Sequence, residues 1–228
     1  MEKYSRFAVY YAPEAGPLAD FAAEWLGWDA ARGRHAGPVT LPGLPMAAAE
    51  ITATPRKYGF HGTIKPPFRL ATDRSALEGD LAVLCAHLAP VTLDGLALRP
   101  LGGFLALVPE GDTTPLAALA AEVVKGLDRH RLPPTAAELD RRRAAAQLTP
   151  RQEANLAAWG YPYVMEDFRF HLTLSGRLAA ADLDQTARAL APVLAPILPR
   201  PFRVADLCLF GEDEGGMFHL LNRYALAG

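Results

Sequence analysis

The chain is predicted to fold as α+β, two pseudosymmetric lobes, each an antiparallel sheet with helices on its outer face, with a cleft between the lobes. Two observations carry this prediction. The pattern His-x-Thr-hydrophobic, preceded by Phe, occurs twice, as Phe60-His61-Gly62-Thr63-Ile64 and Phe170-His171-Leu172-Thr173-Leu174. Each copy is then followed by the same succession of a helical stretch, a strand, a Gly-Gly turn (Gly102-Gly103 or Gly215-Gly216) and a second strand. The offsets from His61 to Leu96 and from His171 to Leu207, the two strand centres, differ by one residue. Repetition at matched spacing is the signature of internal duplication, and a pseudo-twofold axis brings the two motif strands to equivalent places facing one cleft.

Residues 6–12 are β-branched and aromatic, stop at Pro13 and predict a strand. Residues 18–26 predict a helix, and the Gly- and Pro-rich stretch 32–45 a loop. The strand carrying His61 is expected to end at Pro66-Pro67, because proline removes a ladder donor. Leu77, Leu81, Leu84, Cys85 and Leu88 recur at helical spacing within 75–88. Residues 91–98 and 104–108 predict two strands and 115–127 a helix. Within 132–163 the core, residues 136–158, is helical and highly charged. After the second motif strand, 181–194 is helical, a Pro-rich run breaks it, and 202–210 with 217–226 form a final strand pair. The expected organisation is a single domain of two lobes, roughly 1–131 and 161–228, a helical insertion over roughly 132–160, and room for strand exchange between the lobes.

With 228 residues, half of them hydrophobic, the chain can bury a core of ordinary size. A formal net charge of −2 argues against a general polyanion-binding surface, although a local basic pocket needs only two or three placed cations. Cys85 and Cys208 sit in apolar surroundings and read as core thiols of a reducing compartment. The first residues lack the blocks of a signal peptide, and no apolar run reaches the about 18 residues of a membrane span. A cytoplasmic protein with no membrane partner is the expectation.

Alternate residues of a strand share a face, so His61 and Thr63 point one way, as do His171 and Thr173, while Phe60, Ile64, Phe170, Leu172 and Leu174 turn into a core. Two such strands side by side supply two proton-transfer groups and two hydroxyl donors around one small space, which suits cleavage of a phosphoester. The same alternation puts Gly59 and Lys65 on the His61 side and Arg169 and Ser175 on the His171 side. Lys65 and Arg169 are thereby candidate cations for a phosphate, against the reading of solvent-facing charges at strand ends. From the run Arg141-Arg142-Arg143, Arg143 is the candidate for a second phosphate if the insertion folds over the cleft; a solvated helix face is the competing reading. Tyr163, with Tyr161, is a candidate for stacking on a base or sugar, or else a packing aromatic. Tyr58 is expected in the core and His219 in a structural role. The spacing of His35, His87 and His130 suggests no metal site, and no Gly-rich nucleotide fingerprint occurs, so neither metal nor cofactor is expected.

On these residues the chain resembles the two-histidine (2H) phosphoesterase superfamily, whose members carry one His-x-[Thr/Ser]-hydrophobic motif per lobe. The block Arg56-Lys57-Tyr58-Gly59-Phe60-His61-Gly62-Thr63-Ile64-Lys65-Pro66-Pro67-Phe68 is similar to the branch of that superfamily encoded with phosphonate-utilisation genes. The resemblance implies metal-independent attack on a small, usually cyclic, phosphodiester in the groove between lobes, one imidazole as base and the other as acid, with Thr63 and Thr173 donating to phosphate oxygens. It leaves open which histidine plays which part. Two other functions stay in view at this point: a 2',3'-cyclic phosphodiesterase or ligase of RNA ends, against which the near-neutral charge argues, and a non-catalytic protein that binds a phosphorylated metabolite.

Overall fold

The computed structural model describes residues 3–37, 39–145 and 147–228. In chain order the first half holds β1 (Arg6–Tyr11), α1 (Pro17–Leu26), β2 (Trp28–Asp29), β3 (Arg34–His35), α2 (Ala48–Ile51), β4 (Gly62–Phe68), α3 (Arg74–His87), β5 (Val91–Leu93), β6 (Gly95–Leu101) and β7 (Phe104–Glu110). There follow α4 (Thr114–Gly126), α5 (Ala136–Ala145), α6 (Pro150–Trp159), β8 (Leu172–Thr173), α7 (Ala180–Leu194), β9 (Phe202–Val204), β10 (Asp206–Glu212) and β11 (Phe218–Ala225).

Seven strands form one antiparallel sheet in the order β11-β10-β1-β4-β8-β7-β6. The two motif strands, β4 and β8, meet at its centre through the pair Gly62↔Leu172. Each hairpin that follows a motif strand in sequence lies on the far side of the other one. The β6–β7 hairpin, downstream of His61, pairs with β8, while the β10–β11 hairpin, downstream of His171, pairs with β1 and so flanks β4. The halves of the molecule therefore exchange strands.

The stretches 91–98 and 202–210, each read as one strand from sequence, both break in two. Asp94 separates β5 from β6 and Ala205 separates β9 from β10, and the freed halves β5 and β9 pair with each other through Val91↔Val204 and Leu93↔Phe202. All four of those side chains are buried, so this two-stranded tie is part of the core. The same break at equivalent points of both halves is what a duplicated frame produces.

One face of the large sheet is covered by helices. α3 packs on β10 and β11, α4 on β4, and α7 on β6 and β7, around a core that includes Val9, Ile64, Leu105, Leu107, Leu172 and Leu174. The helices start and stop where local chemistry dictates. Asp73 caps α3 by accepting from Ala76 N at 2.8 Å. Thr149 and Gln152 form a capping box at the start of α6, with Pro150 in its first turn. That box breaks the predicted helical core 136–158 into α5 and α6.

β4 does not end at its prolines but runs through Pro66 and Pro67 to Phe68. Its pairing with β1 shifts register twice, between Tyr10↔Thr63 and Val9↔Lys65 and again before Phe7↔Phe68. Each shift places an extra β4 residue against β1, and a proline without an N–H is accommodated where the ladder is already interrupted. The stretch 32–45, expected as loop, contributes β3, which pairs with β2. Cys85 and Cys208 are free and buried, as read from sequence. Among the described residues no helix is long and apolar enough to cross a membrane.

Candidate active site

The face of the sheet away from the helices carries the polar side chains of the two motifs. Directly paired residues of antiparallel strands point to the same side. Tyr10 is paired with Thr63 and Ala106 with Thr173, whereas the core residue Leu107 is paired with Leu172. Thr63 and Thr173 therefore leave the same face, and His61 and His171, two positions earlier, go with them. That face forms a cavity of about 400 Å³ whose wall includes Tyr10, Tyr58, His61, Thr63, Phe104, Thr173 and Ser175. His171 stands beside this wall, its ring 5.7 Å from that of Phe104.

The two imidazoles are held alike. His61 Nδ1 lies 3.0 Å from the carbonyl of Gly59, and His171 Nδ1 lies 2.9 Å from the carbonyl of Arg169, in both cases two residues upstream. A carbonyl only accepts, so each Nδ1 is the donor and carries a proton. In the neutral ring Nε2 is then the free base, the tautomer required of a proton acceptor. Gly59 makes its carbonyl available by a left-handed turn (φ +68°) after the 3-10 turn Arg56–Tyr58, and a Cβ at that position would lie 2.7 Å from Ala30 Cβ.

Tyr10 stacks on His61, with ring centroids 3.9 Å apart and planes at 25°. Burial, with a smaller contribution from the nearby His171, pushes His61 down to about 4 despite the opposing bond from Gly59. Burial also raises the phenols of Tyr10 and Tyr161, which therefore stay protonated donors at neutral pH. The hydroxyls of Thr63 and Thr173 have no protein hydrogen-bond partner among the described residues and are left to whatever enters the cavity.

The approach of the two motif strands depends on Gly62. A Cβ there would lie 2.2 Å from Phe170 Cζ, and Phe170 is itself buried between Tyr11 and Phe202, at centroid distances of 6.0 and 5.9 Å. At the far end of β8, Trp25 Nε1 donates to Leu174 O at 2.7 Å and pins the strand to α1.

Several other sequence-derived candidates lie elsewhere. Lys65 is not on the His61 face. Because of the bulge at Ile64 it pairs with Val9, points into the helix layer at 2% exposure, and donates to Val124 O at 3.0 Å with Asp128 3.7 Å away. Burial lowers its pKa to about 8. Arg169 is exposed and contributes its carbonyl rather than its guanidinium. Ser175 borders the cavity, but its hydroxyl accepts from Leu105 N and donates to Gly176 O, both at 2.8 Å, so it serves as a brace between β7 and the chain after β8. Arg143 turns to Glu153 at 3.1 Å and to Asp140; its neighbour Arg142 is the one that borders the cavity. Tyr163 is 41% exposed, and Tyr161 takes the cavity position instead. Tyr58, expected in the core, also lines the cavity. His219 bonds Asp213 at 2.7 Å and packs on Trp28, a structural role.

Sequence reasoning missed Tyr10, Arg6, Arg177 and Phe104, assigned Tyr58 to the core, and reached Arg142 only as part of the run Arg141-Arg142-Arg143. The odd-even pattern of β1 and β7 places Tyr10 and Phe104 opposite the core residues, a signal present in the sequence. Arg177 lies in an irregular segment and carries none. Among the described residues no group of three or more His, Cys, Asp or Glu is placed to hold a metal ion.

Comparison with known proteins finds both curated relatives and solved structures. The chain is 39% identical over 187 residues to a Janthinobacterium protein (strain Marseille) named ribose 1,5-bisphosphate phosphokinase PhnN, covering 80% of this chain and 41% of that one. A Laribacter hongkongensis protein of the same name is 36% identical over 224 residues, covering 96% of this chain and 51% of the relative. The chain thus spans about half the length of these curated relatives. Solved structures that align along the whole chain include Escherichia coli LigT complexed with NADP+ (13% identity, TM-score 0.44, 100% of both chains) and TT0787 of Thermus thermophilus (14% identity, TM-score 0.43, 98% of both). Residues 63–219 match the family described as protein of unknown function DUF1045, and the chain belongs to that family.

Proposed function

We propose that this protein is a phosphodiesterase of the two-histidine type that opens a small cyclic phosphodiester of a ribose phosphate. The observation that carries the proposal is the matched pair of imidazoles, each held as the Nδ1–H tautomer by the carbonyl two residues upstream, beside two unpartnered threonine hydroxyls.

In this reading His61, kept neutral by burial, is the base. Its Nε2 takes a proton from a water whose oxygen attacks phosphorus. The bond from phosphorus to one ribose oxygen breaks, and His171, protonated, gives its Nε2 proton to that leaving oxygen. The product is a phosphomonoester with a free hydroxyl. Thr63 and Thr173 donate to the nonbridging oxygens, where negative charge rises in the transition state. Acid and base are both imidazoles, so the step needs no metal-bound water.

The ribose phosphate is suggested by the relatives, whose name contains ribose 1,5-bisphosphate and phosphokinase. The present chain corresponds to about half of each and has no Gly-rich phosphate loop in its sequence. We assign the kinase name to the remaining length of those proteins and the esterase to the part represented here, both acting on phosphorylated ribose.

Turnover of a panel of cyclic ribose phosphates, with and without a base, tests the reading. His61→Ala and His171→Ala are each expected to lower kcat/KM at least about a hundredfold, the scale of a lost general acid or base. Activity within about threefold of wild type in either variant would remove that residue from the mechanism, and tight binding of every probe without turnover would make the protein a binder rather than an enzyme.

A further inference from the structure

The cavity is larger and more cationic than one cyclic phosphate requires. Arg6, Arg142 and Arg177 all border it, and among the described residues no Asp or Glu does. In a chain of net charge −2 this is a local concentration of positive charge. The three arginines are not equivalent. Arg6 is held by both carboxylate oxygens of Glu212, which cancels its charge. Arg142 and Arg177 have no carboxylate partner among the described residues, and of the two Arg177 is exposed in an irregular segment. Arg142 comes from α5 of the insertion and is half-buried, with its guanidinium 5.0 Å from the ring centre of Tyr161. Both neighbouring arginines on α5 differ: Arg141 bonds the carbonyl of Ala137 one turn back, and Arg143 pairs with Glu153. Arg142 is thus the member of the run that the fold aims inward and leaves unneutralised.

A guanidinium held over an aromatic ring face is attracted to the ring without engaging its N–H donors with a carboxylate. Tyr161, whose phenol burial keeps protonated, lies at the same place. Arg142 and Tyr161 together form a donor set suited to a phosphate monoester on the wall of the same cavity that His61, Thr63 and Thr173 line.

We propose that Arg142, with Tyr161, is a second anion subsite that selects substrates bearing a phosphate monoester in addition to the phosphodiester that is cleaved. This rests on the phosphodiesterase reading above and deepens it: the substrate class becomes a ribose cyclic phosphodiester that also carries a 5-phosphate. The doubly anionic substrate also explains why an inserted helix, rather than a strand of the duplicated frame, supplies the residue. A duplicated frame yields symmetric groups, and the second phosphate is an asymmetric demand.

The test compares two probes, ribose 1,2-cyclic phosphate and its 5-phosphate. The wild-type protein is expected to prefer the 5-phosphate at least about thirtyfold in kcat/KM, as for a charge-assisted pair. Arg142→Gln should reduce that preference below about threefold, while Arg143→Gln, on a residue turned away from the cavity, keeps it. Equal kcat/KM on the two probes in the wild type, or a preference unchanged in Arg142→Gln, overturns the subsite. If neither probe is turned over, the esterase reading fails, and calorimetric binding of ribose 5-phosphate decides the subsite alone: affinity lowered at least about tenfold by Arg142→Gln upholds it, and affinity the same in both proteins overturns it. Circular dichroism and the melting temperature confirm that each variant is folded.

Discussion

At the scale of single residues, the proposed chemistry turns on how two imidazoles of the same local geometry are placed in different surroundings. Both donate from Nδ1 to a carbonyl two residues back, but His61 is also stacked under Tyr10 and desolvated. With its pKa lowered to about 4, His61 is neutral across the physiological range. If it is the base, the acid limb of the kcat/KM profile should fall with a midpoint near 4, because the free enzyme's base is then protonated. Should kcat/KM instead keep rising as pH passes below about 4, His61 is the acid. The same shift has a consequence for stability. Below about pH 6.5 the unfolded chain binds a proton at this site that the folded chain refuses, so stability declines between about pH 6.5 and 4; His61→Gln should make denaturant midpoints less dependent on pH over that window. Lys65 illustrates the opposite case of a charged residue whose task is structural. Its ammonium is bonded to Val124 O under α4, so Lys65→Ala should cost about 1–3 kcal/mol in chemical denaturation and leave KM within about twofold.

At the scale of elements, small irregularities decide which side chains reach the cavity. Strand alternation read from sequence puts His61, Thr63, His171 and Thr173 on one face; His61, Thr63 and Thr173 line the cavity and His171 stands beside it at Phe104. It failed for Lys65 because β4 bulges at Ile64, which turns every later residue by one position. Pro66-Pro67 was the visible trace of that bulge, although by itself it predicted an end to the strand. Gly62 is the other decisive element-level residue, since the motif strands approach closely only where the first has no Cβ against Phe170. Gly62→Ala is therefore expected to destabilise by about 1–3 kcal/mol through overpacking and to lower kcat more than about tenfold by spreading the imidazoles, whereas Phe170→Leu in the same background should recover part of the stability. A melting temperature and kcat equal to wild type in Gly62→Ala would show that the strands are not held by this contact.

For the whole molecule, the exchange of hairpins means that neither half of the sequence contains its own half of the sheet. β6 and β7 complete the His171 side, β10 and β11 complete the His61 side, and β5 and β9 tie the two. The two lobes are accordingly expected to unfold together, with calorimetric and van't Hoff enthalpies in a ratio near one; two resolved transitions would contradict this. The same architecture keeps the cationic surface local, inside a cavity of about 400 Å³. Turnover of a mononucleotide-sized substrate should then change less than about fivefold between about 50 and 200 mM salt, unlike binding along a nucleic-acid groove.

The repeat of Phe-His-x-Thr-hydrophobic, the Gly-Gly hairpins and the helical spacing of the leucines are local patterns, and so the fold class, most of the elements and the shared side of the two motifs were legible from the chain alone. Which hairpin pairs with which motif strand is a choice between partners of equal local propensity, and it is made by packing between residues far apart in the chain. The inward turn of Arg142 rather than Arg143 and the loss of Lys65 to the helix layer were decided in the same way. Each depends on a register or a helix rotation that shifts by one residue at no cost in local pattern, and only the buried contacts of the folded molecule distinguish the alternatives.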